Sequence, residues 1–200
     1  MRSNRTSLEG VTLDTVDLRG ANFAGQNLSK ATFNSCNFSG ADFSQANLKG
    51  MRVRNCVFKQ AVFTEATIMK VNIADSVFDK SSFKKAKLTR GIWIRVKFRE
   101  CSFWDAYCNS CDFSFSDMSD TDFRYANLTT VNFCDADLSR CDFTEADLRQ
   151  ANMTHATIDN ATFTLAKMVG SIGVNGQPWG FTARKPDKSK SKSGWFWNRK

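Results

Sequence analysis

Ala41-Asp42-Phe43-Ser44-Gln45-Ala46-Asn47-Leu48-Lys49-Gly50 is one motif written twice: a small residue, Asp or Asn, a bulky hydrophobe, then two variable positions. Steps of five outward from Phe43 land on Phe38, Phe33, Leu28, Phe23, Leu18, Leu13 and Leu8 on one side. On the other side they run from Leu48 through Phe163 to Met168 without a phase break. Of these 33 centres only Cys108 is not a bulky hydrophobe. A period of five fits neither the 3.6-residue helix nor the two-residue strand. It marks an internal repeat, and a repeat decides architecture before any local element does.

A second period of 20 lies over the first. Phe23, Phe43, Phe63, Phe83, Phe103, Phe123, Phe143 and Phe163 form one column of identical residues. The column of Leu8, Leu28, Leu48, Ile68, Leu88, Cys108, Leu128, Leu148 and Met168 contains no Phe. Such segregation requires residues n and n+20 to be neighbours. The chain therefore reads as an all-β solenoid of about eight four-sided, 20-residue coils, with the centres stacked inward as ladders. Adjacent coils at the usual strand spacing of about 4.8 Å give a rod about 40 Å long.

Ala21-Asn22-Phe23-Ala24-Gly25, Ala46-Asn47-Leu48-Lys49-Gly50 and Ala146-Asp147-Leu148-Arg149-Gln150 are clean copies of the pattern A-[DN]-[LF]-x-x. In these copies the chain resembles the pentapeptide-repeat family over residues 6–170. The resemblance implies a right-handed quadrilateral β-helix and leaves function open, because a fold does not fix a function.

Residues 1–5 read as a lead-in, 6–170 as the β-helix, 171–183 as a C-terminal cap and 184–200 as a flexible tail. The cap segment carries Gly and Asn-Gly turn signals and two aromatics. The tail is a charged linker ending in Trp195, Phe196, Trp197, Arg199 and Lys200, a composition suited to docking on a protein or on an anionic membrane surface.

Composition removes several function classes. With one His in 200 residues there is no His-pair metal site and no basis for a His-centred triad. No nucleotide-binding or hydrolase motif occurs, and no loop insertion builds a pocket. The expectation is therefore no catalytic residue, no cofactor and no metal. No apolar run approaches the roughly 18 residues of a membrane span, and the first residues lack the apolar stretch of a signal peptide. The seven Cys are an odd number, which favours reduced thiols and a cytoplasmic location. Cys36, Cys56, Cys101, Cys111 and Cys141 fall at the small inward position, where a free Cys acts as a small hydrophobe. Cys134 is the thiol expected at the surface. His155 is expected at the surface as well.

The net charge of +8 conceals a strong polarity along the chain. Residues 49–99 hold 13 basic against three acidic residues, whereas 100–165 hold three basic against 12 acidic. The basic residues lie beside every column, forming a girdle rather than a groove, so specific nucleic-acid binding is not expected. The acidic residues Asp117, Asp120, Asp122, Asp137, Asp142 and Glu145 gather on two adjacent sides as a ridge. Two explanations stay open: the Asp preference of the repeat produces it, or an acidic surface is functional.

Ile92, Ile94, Trp104, Tyr107 and Phe115 occupy positions that elsewhere face solvent and form a candidate partner patch. Trp104 is expected to stack between Lys84 and Arg124 in a cation–π ladder. The leading expectation is a non-catalytic scaffold binding a protein partner, with homodimerisation as an open alternative. A branch of the resembled family mimics duplex DNA and protects gyrase from quinolones, and the acidic ridge is the feature that fits that alternative. This chain departs from that branch in its basic balance, its lack of loop insertions and its lack of an evident C-terminal dimerising helix. A bacterial effector acting in host cells is a further alternative, although residues 1–7 show no delivery signal.

Overall fold

The structure, a computed structural model, describes residues 7–180. The lead-in at 1–5, the end of the cap segment at 181–183 and the tail at 184–200 lie outside the described residues. The fold is an all-β solenoid. Five short strands, β1 (Thr12–Asp14), β2 (Thr32–Asn34), β3 (Arg52–Arg54), β4 (Asn72–Ala74) and β5 (Ile92–Ile94), form one parallel sheet in sequence order. Every pairing joins n to n+20, as in Leu13 with Phe33 and Ile73 with Trp93. Single parallel bridges extend the same step along three further ladders and carry this one on to Asn152 and Ile172.

Two backbone rules repeat along the chain. A centre donates its N–H to the carbonyl 19 residues on, as Phe38 does to Val57 at 2.6 Å. The residue before it donates to the carbonyl 21 residues back, as Asn37 does to Val16 at 3.0 Å. At most corners the next small residue closes a turn on the preceding centre, as Ala41 N–H does on the Phe38 carbonyl at 2.9 Å. The second residue after a centre then sits in the left-handed region. Twenty-seven non-glycine residues adopt φ of 52° to 62° there, a conformation that costs an L-residue roughly 1–2 kcal/mol. Stacking coils hold each one in place.

The Asp or Asn of the motif has a mechanical role. Its Oδ1 accepts the N–H two residues on, as Asp42 does from Ser44 (2.8 Å) and Asp137 from Ser139 (2.9 Å). This local bond fixes the backbone as the chain leaves the centre.

Inside, the Phe column is a continuous stack. Successive rings from Phe23 to Phe163 lie 4.6–5.1 Å apart with interplanar angles of 2–22°. Each such contact contributes about 0.5–1.5 kcal/mol beyond simple burial. The small inward position also works harder than a filler. Ser81, Cys101, Cys111, Ser116, Thr121 and Cys141 each donate to a centre carbonyl 23 residues earlier, at 2.6–3.0 Å. After three of the strands, side chains take the corner N–H: Cys36 N–H goes to Cys56 Sγ, Cys56 N–H to Ser76 Oγ and Val96 N–H to Ser116 Oγ.

At the C-terminal end, Ile172 bridges antiparallel to Pro178 and Trp179 N–H returns to the Ser171 carbonyl at 2.9 Å. This reversal lays Trp179 against Phe163, with 4.9 Å between ring centroids. It covers part of a coil end that would otherwise expose its core.

Candidate functional site

The proposed patch is not continuous. Ile92 and Ile94 flank the buried Trp93 on β5, and Phe115 follows the next rung of that ladder, where Ile92 bridges Asp112. Tyr107 belongs to a different ladder, between Lys87 and Asn127, and Trp104 stands next to a third, which carries Ser102. Exposure differs as well. Phe115 is 60% exposed, Tyr107 46% and Ile92 42%, while Ile94 and Trp104 are half-buried.

Trp104 does not stack between Lys84 and Arg124. Its ring lies under Lys85 Nζ at 5.4 Å and meets the edge of Tyr125 at 6.0 Å. Arg124 is drawn elsewhere: Nε and an Nη donate to the Asp122 carboxylate at 2.9 and 3.0 Å. A bidentate carboxylate outcompetes a ring face for a guanidinium. Trp104 is thus covered by its own molecule, whereas Phe115 is not. The neighbouring cation, Arg95, turns back one coil to grip Asp75 at 2.7 and 3.0 Å.

Phe115 is also unusual for its residue type, not for its backbone, which it shares with the other corners. Its φ is +59°, and its column otherwise reads Thr15, Ser35, Asn55, Asp75, Arg95, Asp135 and His155, all polar. A bulky aromatic held exposed in a left-handed corner gains nothing visible within the coil.

The acidic ridge is partly compensated, most closely at Asp120 and Asp122. Arg140 donates to both Asp120 oxygens at 2.7 Å, which holds that carboxyl below its usual range. For Asp122, burial opposes ionisation, but the bonds from Arg124 outweigh it and the pKa is lowered. Arg124 also reaches Asp142 at 3.8 Å, so the stacked pair Asp122 and Asp142 shares one cation. Asp117 lies 3.7 Å from Arg99. Among the described residues, Asp137 and Glu145 alone of the six form no ion pair. Asp117, Asp122, Asp137 and Asp142 each accept the N–H two residues on, so the repeat itself accounts for them.

The cysteines are all free, six buried and Cys134 half-buried. Burial raises the thiol of Cys56 to about 11 and those of Cys111 and Cys141 to about 12. Cys101 and Cys108 are pushed up too, again by burial. No group of three or more His, Cys, Asp or Glu that could hold a metal occurs among the described residues. His155 is exposed, 3.6 Å from Asp135. The contacts expected of Trp195, Phe196, Trp197, Arg199 and Lys200 lie outside the described residues.

With its five-residue motif and 20-residue register, the chain is a repeat solenoid, and a family model agrees. The pentapeptide repeat region matches residues 6–83 and 86–163, and the chain belongs to the pentapeptide-repeat family. No curated protein matches it. Several solved structures are similar. HetL, a pentapeptide repeat protein involved in heterocyst differentiation regulation in Nostoc sp. strain PCC 7120, is 15% identical with a TM-score of 0.29, over 86% of this chain and 94% of HetL. Full-length QnrB1, a plasmid-mediated fluoroquinolone resistance protein, is 20% identical with a TM-score of 0.40, over 82% and 94%. A pentapeptide repeat protein of the Arabidopsis thaliana thylakoid lumen is 23% identical with a TM-score of 0.30, over 74% and 66%. At these scores none of them carries a property over to this chain.

Proposed function

We propose that this chain is a non-catalytic, protein-binding scaffold: a right-handed four-sided rod of about eight coils that meets its partner around Ile92, Ile94 and Phe115. The observation that carries this reading is Phe115, 60% exposed at a left-handed corner whose column is otherwise polar. Exposed aromatics of this kind anchor protein interfaces once desolvated. Seven free thiols, six of them buried, suit a reducing compartment such as the cytoplasm. Affinity capture with wild type beside Ile92→Asp/Phe115→Asp tests the reading. Proteins retained by the first bait and lost from the second support it, and identical retention removes the patch as the contact.

Imitation of DNA by the acidic ridge has the arginine partners against it, since a carboxylate held by Arg124 or Arg140 presents little free charge. A gyrase supercoiling assay with and without quinolone decides that reading. No effect at micromolar protein ends it.

A further inference from the structure

Lys30, Gly50, Lys70 and Arg90 follow one another at 20-residue steps along one corner of the coil. Gly50 leaves a gap in this line of long side chains. A cleft of about 320 Å³ opens there, lined by Ser29, Lys30, Asn47, Lys49, Gly50 and Lys70. A Cβ placed on Gly50 would meet only Lys30 Cγ, at 3.9 Å, so the space stands open above the backbone.

The cleft is one-sided in charge. Segments 27–30, 47–50, 67–70 and 87–90 stack on this edge through the ladder from Asn27 to Lys87, and none contains Asp or Glu. Among the described residues Glu9 is the one carboxylate paired here, with Lys30 Nζ at 2.9 Å. Lys49 and Lys70 are exposed and have no ion-pair partner among the described residues. Two uncompensated ammonium groups beside a gap match a compact dianion, and lysine serves such an oxyanion as a point charge with rotatable donors. The gap exceeds one phosphate in size, and the lysine methylene stems offer an apolar wall for the carbon skeleton attached to it.

We propose that the Gly50 cleft binds the phosphate monoester of a small molecule, with Lys49 and Lys70 as its principal ligands and Lys30 as a third, restrained by Glu9. This is independent of the protein-contact reading, which rests on another ladder. The phosphate could be carried by a soluble metabolite or by a lipid headgroup, and the chemistry of recognition is the same.

Gly50→Gln is the decisive variant. It fills the gap without changing charge, and Gln45, Gln60 and Gln150 already occupy equivalent corners at φ of 58–59°. The soluble arm is calorimetric titration with glycerol 3-phosphate at constant ionic strength. The lipid arm is co-sedimentation with phosphatidylcholine vesicles containing a minority of phosphatidic acid. Binding in either arm should weaken by about fivefold or more in Gly50→Gln, Lys49→Gln and Lys70→Gln, and strengthen in Glu9→Gln. The arm that responds identifies the carrier. The proposal is overturned if neither arm binds, if Gly50→Gln binds like wild type, or if Lys59→Gln, a lysine on another ladder, weakens binding as much as Lys49→Gln.

Discussion

Trp93 fits its coil because residue 91 has no side chain. A Cβ at Gly91 would fall inside van der Waals contact of Trp93 Nε1 and 3.2 Å from its Cδ1. The indole is fully buried, edge-on to Phe78 at 5.7 Å and tilted against Phe98 at 5.5 Å. Gly91 and Trp93 are therefore a matched pair: the largest core residue stands beside the smallest residue of its column, where Val71 and Cys111 lie one coil either way.

Coupling between the two follows from this fit. Gly91→Ala alone should destabilise by about 1–3 kcal/mol through overpacking. Trp93→Phe should cost about 1.5 kcal/mol or less, because one buried aromatic replaces another. In the double variant the Gly91→Ala penalty should largely vanish. Urea unfolding of the four proteins measures the coupling, and additive penalties would show that the fit is not the cause.

The Asp of the motif should be replaceable by Asn and not by Ala. Asp137 is the clean case, since its Oδ1 accepts the Ser139 N–H at 2.9 Å and it forms no ion pair among the described residues. Asp137→Asn keeps that acceptor and should leave the urea midpoint nearly unchanged. Asp137→Ala should lose about 1 kcal/mol. Equal losses would mean that charge, not the local hydrogen bond, holds the position.

Thiol reactivity should separate one cysteine from six. At pH 8 a disulfide reagent should titrate Cys134 alone in the native protein and all seven thiols in denaturant. Burial keeps Cys56, Cys111 and Cys141 neutral, with folded pKa values of about 11 to 12. Since these values are raised, their contribution is complete below the ordinary thiol pKa of about 8.5 and is lost as pH climbs through the folded values. Rapid native labelling of more than one thiol at pH 8 would contradict the packing.

Acid should weaken the rod through its Arg-held carboxylates. Arg95, Arg140 and Arg149 lower the pKa of Asp75, Asp120 and Asp147 by hydrogen bonding, and Arg124 does the same for Asp122 against its burial. A depressed folded pKa stabilises above the ordinary value of about 3.9, and that contribution is lost as pH falls through the folded values. Asp75 and Asp120 are exposed, so each contributes little, whereas Asp122 and Asp147 are half-buried. Asp120→Asn should therefore lose slightly less Tm than wild type between pH 7 and pH 3. A larger loss would contradict the assignment.

How much was legible in the sequence depends on what fixed each feature. The 20-residue register was fully legible, because the pure Phe column demands that Phe43 lie over Phe23 and under Phe63. The partner of Trp104 was not. Lys84 and Lys85 are adjacent, and choosing between them required knowing that Arg124 would turn to Asp122. The division of the patch was hidden for a similar reason: nearness in sequence suggested nearness in space, while Ile92 and Tyr107 stand on different ladders. The gap at Gly50 could have been read from its column, where Lys30 and Lys70 flank a glycine. The arginine compensation of the ridge needed side-chain directions that no period encodes.

The most direct test of the scaffold reading is the affinity of a captured partner for wild type, Ile92→Asp/Phe115→Asp and Trp104→Ala, measured by titration calorimetry with each protein's circular dichroism confirmed as native. A contact centred on Phe115 predicts a Kd at least about tenfold weaker for the first variant and an unchanged Kd for the second. Equal affinity for wild type and Ile92→Asp/Phe115→Asp would contradict it.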